Sequence, residues 1–267
     1  MNGSKLWRYY DVIKFLSFVN GELYFARADK FKDKYEGAIP RQNYLHFAEA
    51  YKGRSGRKVP NGNIHTGNGA GKAEPGTDKG TGIFTEKGED TGADIKKEFL
   101  EELSKRKKMV AISCWHLDKS ESAAMWEVYS RAGQGIAVCT THKKLQNIIK
   151  PAGYEMEMLK VDYLDFENDY HQGYVDNQLL PFKIKRKEFD YEHEFRILLY
   201  RNELEVLPEE GVKIPVDTED IIEDIIASPE MQQYEVFEIQ RLLDRINRER
   251  GSGFNIRRSQ LYENLRY

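Results

Sequence analysis

The stretch Phe189-Asp190-Tyr191-Glu192-His193-Glu194-Phe195-Arg196-Ile197-Leu198-Leu199 decides how this chain is read: it has the composition of a strand, with charges where a sheet buries apolar groups. Successive side chains of a strand point to opposite faces, so this reading predicts Glu192, Glu194 and Arg196 on one face and Phe195, Ile197 and Leu199 on the other. Two carboxylates and a guanidinium on one face form either a solvated surface with structural ion pairs or a site turned toward a cleft. The neighbouring residues favour the cleft.

At 267 residues and 31.2 kDa the chain is long enough to bury a full core, and it is expected to form a single α+β domain over 1–267. A formal charge of -3 and a pI near 6.1 provide no overall basic field for nucleic acid or anionic membrane, although local basic clusters remain open. Cys114 and Cys139 both sit in apolar runs, which suits small buried side chains in a reducing compartment, and no zinc-type cysteine spacing or disulfide framework is readable. The opening Met1-Asn-Gly-Ser-Lys-Leu-Trp-Arg8 lacks an apolar signal core, and no apolar run is long enough to span a bilayer. The expectation is a cytoplasmic protein without a membrane partner.

Along the chain, Leu6-Trp-Arg-Tyr-Tyr10 reads as a strand. Asp11 then caps a helix through Val12, Phe15, Leu16 and Val19 that stops at Asn20-Gly21. Leu23 to Arg27 is a second strand, Asp29 to Gly37 a polar loop, and 41–51 a helix. Residues 53–92 hold about half of the chain's 21 glycines and almost no large apolar residue, so a mobile insertion is expected there. Beyond it the pattern predicts a helix over 93–107, a strand over 109–115, a helix over 122–129, a strand over 136–140 and a short helix over 142–149. Strands over 156–163 and 186–199 follow, joined by a Tyr-rich helical connector. A strand over 221–227, an amphipathic helix introduced by Pro229 and a last strand over 254–258 close the chain. Strands and helices are interspersed without strict alternation, which predicts a mixed, largely antiparallel sheet flanked by helices.

The series Leu6-Trp-Arg-Tyr9, Leu23 to Gly37, Ser113-Cys-Trp-His116, Glu121 to Tyr129, Lys185-Arg-Lys-Glu-Phe189 and Glu192-His-Glu-Phe-Arg196 resembles an uncharacterised bacterial family, domain-of-unknown-function family 2971. The family label itself implies no particular activity. A second resemblance is to ADP-ribosyltransferases, which place an Arg or His, a Ser or Tyr, and a Glu, often within Glu-x-Glu, on successive strands. Arg8, Ser113 and the pair Glu192 and Glu194 stand in that order. The resemblance implies NAD as substrate and a nucleic acid or protein acceptor, in the style of a toxin or antiviral effector. In that reading Glu194 stabilises the oxocarbenium-like ribose and Glu192 activates the nucleophile. Arg8, with Arg27 as a second candidate, pairs a phosphate, while Tyr9, Tyr24 or Trp126 stacks on the nicotinamide.

The remaining polar residues support other assignments. Asp33 and Glu36 in the polar loop, His116 at a strand end, and Lys185 in the basic run Lys185-Arg-Lys187 are candidates for a substrate or loop site. Each also has a plain reading, as a loop cap, a hydrogen-bonded histidine or a solvated turn. One alternative function is a metal-dependent nuclease or nucleic-acid-binding module in which Asp33, Glu36, Glu192 and Glu194 gather around Mg²⁺. Another is a non-catalytic sensor or adaptor.

Overall fold

The computed structural model describes residues 5–52, 92–130, 133–148, 150–172, 177–203 and 205–263. Nearly all of the Gly-rich stretch, 53–91, therefore lies outside the described residues. The helices are α1 (Val12–Val19), α2 (Arg41–Lys52), α3 (Gly92–Lys107), α4 (Ala123–Tyr129), α5 (His142–Gln146), α6 (Thr218–Ile221) and α7 (Gln233–Arg250). The strands are β1 (Lys5–Asp11), β2 (Glu22–Arg27), β3 (Val110–Asp118), β4 (Gly135–Thr140), β5 (Glu155–Lys160), β6 (Asp162–Leu164), β7 (Ile184–Arg186), β8 (Glu194–Tyr200), β9 (Val212–Pro215), β10 (Asp224–Ala227) and β11 (Ile256–Arg258). Among the described residues nine strands form one mixed, mostly antiparallel sheet, with helices on its faces, and β6 and β7 pair separately. The class is α+β, as the sequence pattern predicts.

β3 is the pivot. Along one edge it pairs with β8 over Val110–His116, and β5 adds to the far side of β8. Its other edge forks, because β1 pairs near Trp7↔His116 while β2 pairs at Ala26↔Ile112 and Arg27↔Ala111. From β1 the sheet continues through β4, β10 and β11, and from β2 it continues to β9. The two faces bury different partners. Ala111, Trp115, Phe195, Ile197 and Leu199 pack with Leu6 and Tyr10 under Phe15 and Phe18 of α1 and Val236, Ile239 and Leu243 of α7. The opposite face holds Ile112 and Leu198 with Phe182, and Trp7 and Cys139 with Trp126 of α4.

The helix caps follow the local sequence. Asp11 accepts from the Lys14 backbone N–H at 2.8 Å, and Ser122 caps α4 by accepting from Met125 N–H at 3.4 Å. α7 opens with a capping box between Gln232 and Glu235 and ends at Gly251 in the left-handed region.

Three expectations change, and one strand carried none. The run 189–199 is not one strand: Lys187–Glu192 forms a 3-10 helix, His193 turns left-handed at φ 39 and ψ 51, and only then does β8 begin. The Tyr-rich connector shows no α-helix among its described residues, only a 3-10 turn at Leu180–Phe182 around Pro181. The strand expected over 221–227 starts at Asp224, behind the short helix α6. β9 carried no expectation and forms by pairing Glu22–Phe25 with Val212–Pro215.

Gly37 shapes the loop that carries Glu36. Its φ is +69, and a Cβ there would stand 2.9 Å from the Phe182 ring, so the loop 33–37 can press onto Phe182 only without a side chain. Gly37→Ala is expected to cost about 1–3 kcal/mol, read as a lowered midpoint of thermal or denaturant unfolding.

Candidate metal centre beside a buried charge network

Alternation along β8 sends Glu194 and Arg196 to the face opposite Phe195, Ile197 and Leu199. That face is no open cleft at this point, since Arg196 is 0% and Glu194 4% exposed. Arg196 Nη1 and Nη2 donate to the two Glu36 oxygens at 2.7 and 2.8 Å. Its Nε and Nη2 donate to Glu194 at 3.1 and 3.0 Å, and Nη1 also reaches the Phe182 carbonyl at 2.9 Å. All five N–H donors of the guanidinium are thereby used. Lys185 Nζ bridges the far side, donating to Glu194 at 3.3 Å and to Glu192.

Three carboxylates face two cations in this layer. Burial opposes the charge of Glu194, but Arg196 and Lys185 outweigh it and hold the carboxyl down to about 2. Burial pushes Glu192 above its ordinary range, against the pull of Lys185. Burial likewise works against the Lys185 charge, yet Glu194 and Glu192 raise its affinity for the proton.

Near the end of β3, paired in register with Glu194, His116 is 5% exposed. Its Nδ1 lies 2.6 Å from the Glu192 carbonyl. A carbonyl oxygen only accepts, so Nδ1 carries the proton and Nε2 keeps its lone pair. That Nε2 is buried and has no hydrogen-bond partner. Burial lowers the pKa of His116, against the pull of the Glu192 carbonyl and Asp118. Asp118, on the same strand face two residues on, holds Oδ2 3.7 Å from His116 Nε2, and His193 Nδ1 lies 3.9 Å from the same oxygen. The three ligand atoms all fall within 4.8 Å of one another. The imidazole rings of His116 and His193 are parallel, 4° apart at 5.8 Å. Asp118 and His193 side chains are 40% and 57% exposed, so the cluster opens to solvent on one side.

The other expected site residues are placed as follows. Arg8 and Ser113 do meet: Arg8 Nη1 donates to Ser113 Oγ at 2.5 Å and Nη2 to the Tyr24 carbonyl at 2.9 Å, within the fork of the sheet. Both alternate with core residues of the α1 face, whereas Glu194 and Glu192 lie on the other side, so the Arg–Ser–Glu set does not share a cleft. Arg27 is held by both Asp29 oxygens, at 2.6 and 2.9 Å, and by the Leu207 carbonyl. Tyr9 accepts the Ser122 N–H at 2.8 Å and packs edge-on to Trp126 at 4.8 Å; Trp126 donates to Glu121 at 2.8 Å. The Tyr24 hydroxyl donates to the Glu210 carbonyl at 2.9 Å. The expected Mg²⁺ quartet does not gather: Asp33 pairs with Arg186 at 3.2 Å and turns its loop at Tyr35, and Glu36 is consumed by Arg196. Nor is Lys185-Arg-Lys187 a free basic patch, because Lys185 is bound by two glutamates and Arg186 stacks 4.3 Å from the Tyr35 ring.

Asp118 and His193 were not expected as site residues. His116-x-Asp118 at a strand end was legible, since i and i+2 share a face. His193 was hidden, because a continuous strand would have turned it to the core side.

The description "Protein of unknown function (DUF2971)" belongs to a family model that matches residues 125–197. The family resemblance therefore holds over the segment from α4 through β8, which contains Lys185, Glu192, His193, Glu194 and Arg196. No curated protein matches this chain, and no solved structure does. No helix among the described residues is long and apolar enough to cross a membrane.

Two outcomes follow for the buried network. Arg196→Met strands Glu36 and Glu194 in the interior and is expected to cost about 3–5 kcal/mol in denaturant unfolding. The Glu194 carboxyl is held at about 2 in the folded chain against an ordinary 4.5. Its stabilising contribution is therefore whole above that ordinary value and is lost as pH falls through the folded one. Unfolding midpoints taken in chelator across this window should fall with acid in the parent and less steeply in Glu194→Gln.

Proposed function

We propose that this chain is a metal-dependent hydrolase whose centre is His116, Asp118 and His193. The observation that carries the reading is the buried Nε2 of His116, a lone pair with no partner, aimed at a carboxylate and a second imidazole. An orphan acceptor in the interior is costly. Two histidines and one carboxylate suit zinc or another divalent transition ion better than Mg²⁺, which prefers an all-oxygen shell. The fit is supported one layer out: a metal-bound histidine characteristically donates its other ring N–H to a carbonyl or carboxylate, as His116 does to Glu192. The donor atoms stand wider than the roughly 3.3 Å edge of a tetrahedral zinc site, so binding draws them together.

The chain's residues set what such a centre can do. His116, Asp118 and His193 would hold the ion, and the exposure of Asp118 and His193 would leave it accessible from solvent. An ion held there supplies a water of lowered pKa for attack on an ester or phosphoester. His116 and Asp118 ride on β3, anchored on both edges by β1 and β8, so two of the three ligands stand on rigid backbone.

The test is direct. Protein stripped with chelator and titrated calorimetrically with Zn²⁺, Mn²⁺ or Co²⁺ is expected to take up one equivalent. His116→Ala and Asp118→Ala should each weaken uptake by 10-fold or more while keeping the parent far-UV spectrum. Hydrolysis of aryl ester and phosphodiester substrates should appear with the ion and vanish with chelator. Absence of uptake overturns the centre. Nicotinamide release from labelled NAD in chelator would return the argument to the transferase reading.

A further inference from the structure

His193 is the one non-glycine residue with positive φ among those described, at φ 39. L side chains reach this region against steric resistance, and an imidazole held there invites the question of what holds it. The neighbours on both sides are tethered by the same group. Lys185 Nζ donates to Glu192 before His193 and, at 3.3 Å, to Glu194 after it. Its side chain is only 10% exposed and lies 4.9 Å from the Phe189 ring, and its backbone sits in β7, paired with β6. The turn is also closed by backbone bonds, His193 N–H to Asp190 O at 3.0 Å and Leu117 N–H to His193 O at 2.9 Å. Those bonds close the backbone around His193, and the two glutamate side chains that flank it are bridged by Lys185. Glu192 moreover supplies the carbonyl that accepts from His116 Nδ1, so a clamp on Glu192 acts on two of the three ligands.

We propose that Lys185 is the positioning residue of the metal centre: by stapling Glu192 to Glu194 across His193, it holds the left-handed turn that brings His193 beside Asp118 and orients His116 through the Glu192 carbonyl. This rests on the metal-centre reading above. It gives the charged face of β8 a purpose beyond mutual neutralisation: Arg196 anchors Glu194 in the fold, Glu194 anchors Lys185, and Lys185 fixes the loop that bears a ligand. The strain at His193 is kept because a relaxed turn would carry the ring away from the other two.

Metal affinity separates this from a role in stability alone. Lys185→Met, assayed at a temperature where circular dichroism shows it folded, is expected to bind Zn²⁺ about 10- to 100-fold more weakly than the parent, the range typical of lost outer-shell support. The visible spectrum of its Co²⁺ form should shift away from the parent's. Lys185→Arg, which keeps the cation, should recover affinity to within a few-fold. If Lys185→Met does not fold, Glu192→Met, which cuts one arm and leaves Lys185 on Glu194, is read in the same way. His193→Gly relieves the turn, so the metal-free variant should melt at or above the parent temperature and show no metal-induced rise. Parent-like affinity and Co²⁺ spectrum in folded Lys185→Met overturn the role of Lys185 while leaving the centre standing. A parent protein that takes up no metal overturns both.

Discussion

The guanidinium of Arg196 is the constraint around which the rest is arranged. β8 is buried along its whole length, yet it places an arginine and a glutamate on one interior face. A buried cation is tolerable only when its donors are met, and here they are met by Glu36, Glu194 and one backbone carbonyl. That requirement pulls the loop carrying Glu36 across the sheet, which Gly37 permits by turning left-handed against Phe182. It leaves Glu194 committed to Arg196 and Lys185, so the carboxylate with the most prominent place in the sequence is structural, and the chemistry moves one residue along the chain.

The cluster of His116, Asp118 and His193 stands at the margin of that layer, where β3 ends and solvent begins. A buried, ion-paired network beneath it provides a stiff floor, because Arg196 spends all five of its donors and leaves few alternative arrangements. The exposed side of Asp118 and His193 provides access. Stiffness below and openness above is the combination a ligand set needs if it is to hold an ion and still offer a free position. The opposite face, where Arg8 bridges Ser113 and Tyr24, closes the gap where β1 and β2 diverge from β3, and its stacking over Tyr10 and Trp115 is that of a plug between strands.

Parts of the site were legible. Arg8 and Ser113 were each singled out as candidates, and they meet across 105 residues, but without the glutamate that the same set required. Lys185 was expected to serve a substrate or phosphate and instead binds both members of the Glu-x-Glu pair. Glu192 and Glu194 do not share a strand, because the period-two rule holds only while the backbone stays extended and the 3-10 helix over Lys187–Glu192 with left-handed His193 interrupts it; Lys185 nevertheless gathers both carboxylates. The same break concealed His193, whose value as a ligand depends on not being in a strand. The acidic loop was seen, but not what it serves: Glu36 meets Arg196 across 160 residues, and nothing local announces that distance.

What the sequence determined by itself is what depends on neighbours along the chain. The α+β class, the cap at Asp11, the amphipathic helix α7 and the buried strands all follow from periodicity and local hydrogen bonding, which act within a few residues. What only the tertiary structure decided is which charged groups cancel and which remain to do chemistry. Pairing across β3 and β8 sets the two faces of the sheet, and that choice is made by long-range burial and electrostatics, whose partners are brought together by the fold and not by their order in the chain.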